Sequence, residues 1–250
     1  MEPSEKEQGK KKVTEVKTFP VPFCLKKKKE NLTIYTDLPA KTSKEQIINQ
    51  AFKYHSQGNI LEAAKYYQYF INQGFKDYRV FSNYGVILID LGKLKEAELY
   101  TLKAIEIKPD FADAHSNLGN ILKDMGKSKE AAISFNKAIE LNPNFAEAHY
   151  NLGNILKELG KLNEASISFR KAIELNPDFA KAHLNLGSIL QDLGNLKEAE
   201  FSYRKAIKIK PNFAEAHSNL GNILKDLGNL KEAELYTRKA IEIKPDYAIA

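Results

Sequence analysis

The 250-residue chain contains a single cysteine, Cys24. One thiol makes neither an internal disulfide nor a cysteine-based zinc site, and with Phe23 and Leu25 beside it Cys24 reads as a packed or solvated thiol. Long apolar runs are missing too. A membrane-spanning helix needs about 18 of them in succession, and the longest aliphatic cluster, Val86 to Ile89, falls far short. The opening MEPSEKEQGKKK leads into VTEVKTFPVPFCL, where glutamate, lysine and two prolines break up any apolar signal-peptide core. These absences predict a soluble, cytoplasmic chain without a membrane span. No Ser/His/Asp or Cys/His grouping and no glycine-rich phosphate loop stands out, so the reading is a protein that is not an enzyme and holds no cofactor.

What is present begins with charge. Of the net +6, residues 1–43 carry +4 from ten lysines against six acids, and residues 44–250 carry +2 from 28 cations against 26 acids. Lysine runs at 10–12 and 26–29 flank TFPVPF. A disordered basic arm over 1–43 is expected, with nucleic acid or anionic membrane contact the lesser reading. The rest of the chain lacks the interleaved aromatic and basic residues of a single-strand groove.

The dominant feature is a period. AHSNLGNILKD occurs at 114–124 and again at 216–226, 102 positions later, which is three times 34. Gly58, Gly92, Gly126, Gly160, Gly194 and Gly228 recur every 34 residues, as do Ala63, Ala97, Ala131, Ala165, Ala199 and Ala233. Pro109, Pro143, Pro177, Pro211 and Pro245 share that frame, and Gly85, Gly119, Gly153, Gly187 and Gly221 form a second glycine series. Six units follow: 44–77, 78–111, 112–145, 146–179, 180–213 and 214–247.

Each unit predicts two helices. In the third, Ala114, Leu118, Ile121, Leu122 and Met125 form one stripe at the helical period, and Gly126 supplies a left-handed stop. A second stripe, Ala131, Phe135, Ala138 and Ile139, ends at Pro143. Asn144 with Glu147, Asp110 with Asp113, and Asn212 with Glu215 have the spacing of N-cap pairs; Lys181 breaks that pattern in the fifth unit. One helix pair cannot bury its own stripes, so the units must stack.

The 34-residue period, with small Gly119, Ala131 and Ala138, aromatic Phe135 and Pro143, resembles the tetratricopeptide repeat over residues 44–247. The resemblance implies an all-α, right-handed α-solenoid of six helix-turn-helix repeats. Some positions depart from the pattern: His115, His149, His183 and His217 stand where the family often has tryptophan, Thr101 and Thr237 where Phe135 and Phe169 sit. The first unit diverges most, with Ala51, Phe70 and Phe75 for a glycine, an alanine and the proline, and its polar first helix suits a solvated cap. Residues 248–250 read as the start of an incomplete further helix, which predicts self-association through an uncovered last helix or a continuation.

A helical wheel places Asn117 and Asn120, with Ser116 and Lys123, opposite Leu118 or on the flank of that face. The matching residues are Asn83; Tyr150, Asn151, Asn154 and Lys157; Leu184 and Asn185; and Asn219, Asn222 and Lys225. Family resemblance implies that this face is concave. It is similar to the asparagine-lined superhelix of O-linked N-acetylglucosamine transferase, and an amide ladder offers both donors and acceptors to a peptide backbone. The alternative at these asparagines is bonding to the neighbouring helix. Tyr150 and Leu184 form an apolar spot, while Lys123, Lys157 and Lys225 sit beside acids. The lysines with which some family members clamp a chaperone carboxylate are missing. The four aligned histidines are too widely spaced for zinc and read as packing residues; no metal site is expected. The functional expectation is a non-catalytic scaffold holding an extended protein or peptide segment; the alternative is the substrate-recognition arm of a larger glycosyl- or sulfotransferase.

Overall fold

A computed structural model describes residues 43–245. The basic-arm and incomplete-helix expectations fall on 1–42 and 246–250, outside the described residues. Twelve helices and no strand occupy the described chain: α1 Lys44–Ser56, α2 Ile60–Asn72, α3 Tyr78–Asp90, α4 Leu94–Ile107, α5 Ala112–Asp124, α6 Ser128–Leu141, α7 Ala146–Glu158, α8 Leu162–Leu175, α9 Ala180–Asp192, α10 Leu196–Ile209, α11 Ala214–Asp226 and α12 Leu230–Ile243.

The turn within each pair is built on a glycine. Gly126 has φ 75°; its N–H bonds to Lys123 O, and the Lys127 N–H reaches back to Leu122 O at 2.8 Å. This closes the helix end with the carbonyls satisfied. The second glycine series works by closeness instead. A Cβ at Gly119, Gly153 or Gly187 would stand 2.7, 2.7 or 2.6 Å from the ring of Phe135, Phe169 or Tyr203, rings that have no solvent exposure. Ala131, Ala138 and their equivalents through Ala206 are fully buried beside them.

The helices begin differently from the sequence expectation. No side chain caps α5, α7 or α11; Phe111, Phe145 and Phe213 hold the cap positions. Asp110, Asn144 and Asn212 lie one residue earlier, in the turn. At α5 the cap residue turns inward, Phe111 packing edge-on against Tyr78 at 4.9 Å; Phe213 packs against the main core cluster and Phe145 is half-buried. In each the polar residue stands one position before the cap, outside capping reach. Side-chain caps occur instead at α1, where Ser43 and Gln46 form a reciprocal capping box, and at α3, where Asp77 accepts from the Arg79 N–H. Ser43, placed in the arm by sequence, therefore belongs to the first helix.

Each second helix packs on the first helix of the following pair, and first helices also touch one another in the series α3, α5, α7, α9 and α11. Second helices have no comparable mutual contact among the described residues. The stack therefore bends with its first helices on the narrower side. The core falls into three clusters: the largest over α5–α12, a second around Tyr67, Phe70 and Tyr84 in the first two pairs, and a third of Phe81, Ala104, Phe111 and Ala114.

Candidate functional site

The first helices bring their asparagines together across repeat boundaries. Asn151 donates from Nδ2 to Asn120 Oδ1 at 3.3 Å, and Asn185 donates to Asn154 Oδ1 at 2.7 Å and to the Tyr150 hydroxyl at 3.3 Å. Asn117 donates to Ser82 Oγ at 3.1 Å. The ladder is thus a set of rungs, each formed by two successive repeats. A rung engages the oxygen of one amide and one hydrogen of the other, Asn185 giving its second hydrogen to Tyr150. What remains is a carbonyl oxygen on Asn151 or Asn185 and the amide hydrogens of Asn120 or Asn154, so each rung keeps both acceptor and donor capacity. All of these asparagines are partly exposed.

Other sequence candidates take different places. Asn83 is 2% exposed and Leu184 5%, so both lie in the interior. Burial follows from their neighbours: Asn83 sits within the aromatic first junction and Leu184 joins the main core cluster. Ser116, counted with the open face, is also buried. Tyr150 is half-buried against Phe179 and Phe169, at 4.7 and 5.8 Å, with its hydroxyl in the Asn185 rung. Asn219 is half-buried and Asn222 exposed. Lys157 donates to Ser188 Oγ at 2.9 Å, Lys123 lies 3.6 Å from Asp124, and Lys225 is exposed.

The aligned histidines have a common task that sequence reasoning left as packing. Nε2 of His115, His149, His183 and His217 lies 2.7–3.1 Å from the carbonyl of Pro109, Pro143, Pro177 and Pro211, six residues earlier. Each donates to that carbonyl and ties the turn between repeats to the helix it enters. Burial, outweighing the bond to Pro177, holds the His183 imidazole below its ordinary pKa. Among the described residues no cluster of three or more His, Cys, Asp or Glu is placed to hold a metal, and no helix is long and apolar enough to cross a membrane.

Paired helices stacked at a fixed 34-residue period, with glycine and alanine at the close approaches, define the class: an α-solenoid of short helical repeats. Within it the family is shown directly. A model of the TPR repeat matches residues 85–126, 119–160, 153–194 and 187–228, and a tetratricopeptide repeat model matches 214–247. The chain belongs to the tetratricopeptide repeat family. The match starts at residue 85, so the divergent first pair lies outside it. A search of curated protein sequences returns no match. Among solved structures, the chain is similar to MamA, at 28% identity over 66% of this chain and 97% of that one with TM-score 0.61. It is similar to YrrB, described as a TPR protein with an unusual peptide-binding site, at 28% identity over 74% and 95% with TM-score 0.62. PilF of Pseudomonas aeruginosa, at 18% identity over 81% and 92% with TM-score 0.73, shares the fold.

Proposed function

We propose that the chain is a protein-interaction scaffold that holds an extended peptide along the asparagine rungs of its first helices. The observation that carries this reading is the residual bonding capacity of each rung: one acceptor and one set of donors at the Asn120–Asn151 and Asn154–Asn185 joints. A peptide backbone needs both kinds of partner, and it needs them in fixed positions. The rungs supply that fixity because each amide is held by the neighbouring repeat and loses little freedom when a ligand arrives. Helices packed about 8–10 Å apart and an extended chain rising about 3.3 Å per residue together put one rung opposite every third residue or so. The similarity to YrrB, whose description includes a peptide-binding site, supports the same reading.

Peptides selected from a random displayed library against the full chain provide the test. Replacing Asn117, Asn151, Asn185 and Asn219 together by alanine is expected to weaken a selected peptide at least ~100-fold, at about 1 kcal/mol per lost hydrogen bond. Backbone N-methylation along the peptide is expected to reduce affinity at about every third residue. Equal binding by the substituted and unsubstituted chains, with the fold intact by circular dichroism, would reject the reading.

A further inference from the structure

The outer side of the solenoid carries a row of apolar residues that neither the core nor the rungs account for. Leu99, Ile133, Ile167, Phe201 and Leu235 are 34 residues apart and 50, 68, 69, 61 and 64% exposed. Each lies midway between two residues of its second helix that face inward, as Ile133 does between Ala131 and Phe135, so it points directly away from the core. Single exposed apolar residues are ordinary. Here the residue changes among leucine, isoleucine and phenylalanine while staying apolar in five consecutive repeats; three positions further on, the same helices carry Leu102, Asn136, Arg170, Arg204 and Arg238. Beside the row, between α8 and α10, an open cleft of about 490 Å³ is lined by Ile173, Leu186 and Phe201 and rimmed by the Arg170–Glu198 ion pair.

We propose that this row is a self-association surface on which two copies of the chain meet two-fold, Ile167 of each entering the cleft beside Phe201 of the other. The first argument is pitch. A row with one apolar side chain per repeat is matched in pitch by the same row on a second copy, which also carries the cleft. The second is charge. Lysines four residues on from the row are bridged to glutamates at 2.9, 2.7 and 2.9 Å in Lys137–Glu140, Lys171–Glu174 and Lys239–Glu242. Arg204 of α10 reaches Glu232 of α12 at 2.9 Å. Of the same series, Lys103 lies over the Tyr100 ring at 4.9 Å and Lys205 over the Phe201 ring at 5.3 Å. Most of the row's cations are thus neutralised locally, which gives an anionic membrane or nucleic acid little to attract and lowers like-charge repulsion between copies. The third is area. Five such side chains leave roughly 500 Å² of apolar surface, and with the stems of the flanking lysines this approaches the ~800 Å² per partner of a standard interface. The two-fold axis lies between Ile167 and Phe201, so Ile133 of one copy faces Leu235 of the other; because the second helices lie on the wider side of the bend, contact is closest at Ile167 and Phe201 and tapers through those flanking pairs toward Leu99.

Sedimentation equilibrium of the full chain across micromolar concentrations tests this. A reversible dimer is expected, and Ile167→Glu or Phe201→Glu should weaken it at least ~100-fold, because two-fold symmetry places each substitution in the interface twice. Leu61→Glu supplies the control: Leu61 is 47% exposed but out of register with the row, and its dissociation constant should change less than ~3-fold. All three positions are exposed, so circular dichroism should show an intact fold. A chain that stays monomeric, its row left open or covered by some other partner, overturns the proposal. So does a dimer indifferent to Ile167→Glu and Phe201→Glu. Peptide binding on the rungs, on the opposite side, should be the same in both variants.

Discussion

His55, in the last turn of α1, faces α2 with Nδ1 3.1 Å from the Tyr67 hydroxyl, and burial pushes its imidazole from 6.5 down to about 4. Above pH 6.5 the ring is neutral whether the chain is folded or not, and the full stability is present. As pH falls from 6.5 toward about 4, the unfolded chain binds a proton that the folded chain excludes, so stability is lost across that window by up to about 3 kcal/mol. Urea denaturation at pH 7 and pH 5 should show a smaller loss for His55→Gln than for the unsubstituted chain; equal losses would exclude His55 as the source. His55 lies outside the 34-residue series of the four aligned histidines, so the period gives no signal for it. Its environment comes from Tyr67, Phe52 and Tyr84, brought together by packing of the most divergent repeat, where the period gives no guide. The glycines were far more legible. Gly126 and Gly119 recur for two physical reasons, a left-handed turn and a ring pressed against the backbone, and both reasons demand the same residue in every copy.

Helix ends show where pattern and physics part. Asn144 with Glu147 has capping-box spacing, yet α7 begins behind Phe145 without a side-chain cap, because the chain places Asn144 in the turn, one residue before the cap position. Ser43 with Gln46 makes the reciprocal bonds, Gln46 N–H to Ser43 Oγ at 3.3 Å and Ser43 N–H to Gln46 Oε1 at 2.9 Å. Ser43→Ala should therefore cost about 1 kcal/mol of stability, whereas Asn144→Ala should stay within about 0.5 kcal/mol. Chemical denaturation of the two variants side by side distinguishes them, and a larger loss for Asn144→Ala would restore the sequence reading of the caps. Element number, type and order were legible because apolar stripes and glycine stops repeat together. The rungs were legible only as a shared polar face, since which amide bonds to which depends on the offset between stacked helices.

Over the whole molecule the junctions are unequal. Contact between α2 and α3 is the sparsest of the consecutive inter-repeat junctions, and the solvated face of α1, with Lys44, Glu45, Asn49 and Lys53 exposed, has no repeat packed over it among the described residues. In a stack held by nearest-neighbour contacts the weakest junction opens first. Native-state hydrogen exchange should find amides of α1 and α2 exchanging ahead of those of α7 and α8, and uniform protection along the chain would contradict this. The outer apolar row had a signal in the sequence, the same 34-residue recurrence that exposed the glycines. Composition hides it, because leucine, isoleucine and phenylalanine read as core until the backbone shows which way they face. The divided rungs carry one last consequence. Since Asn120 belongs to one repeat and Asn151 to the next, no repeat owns a complete rung, and each further 34-residue unit that carries asparagine at both positions adds one rung while the existing ones stay as they are. On the proposed reading, repeat number works as a ruler: it sets how long a segment the scaffold measures out, independently of what that segment says.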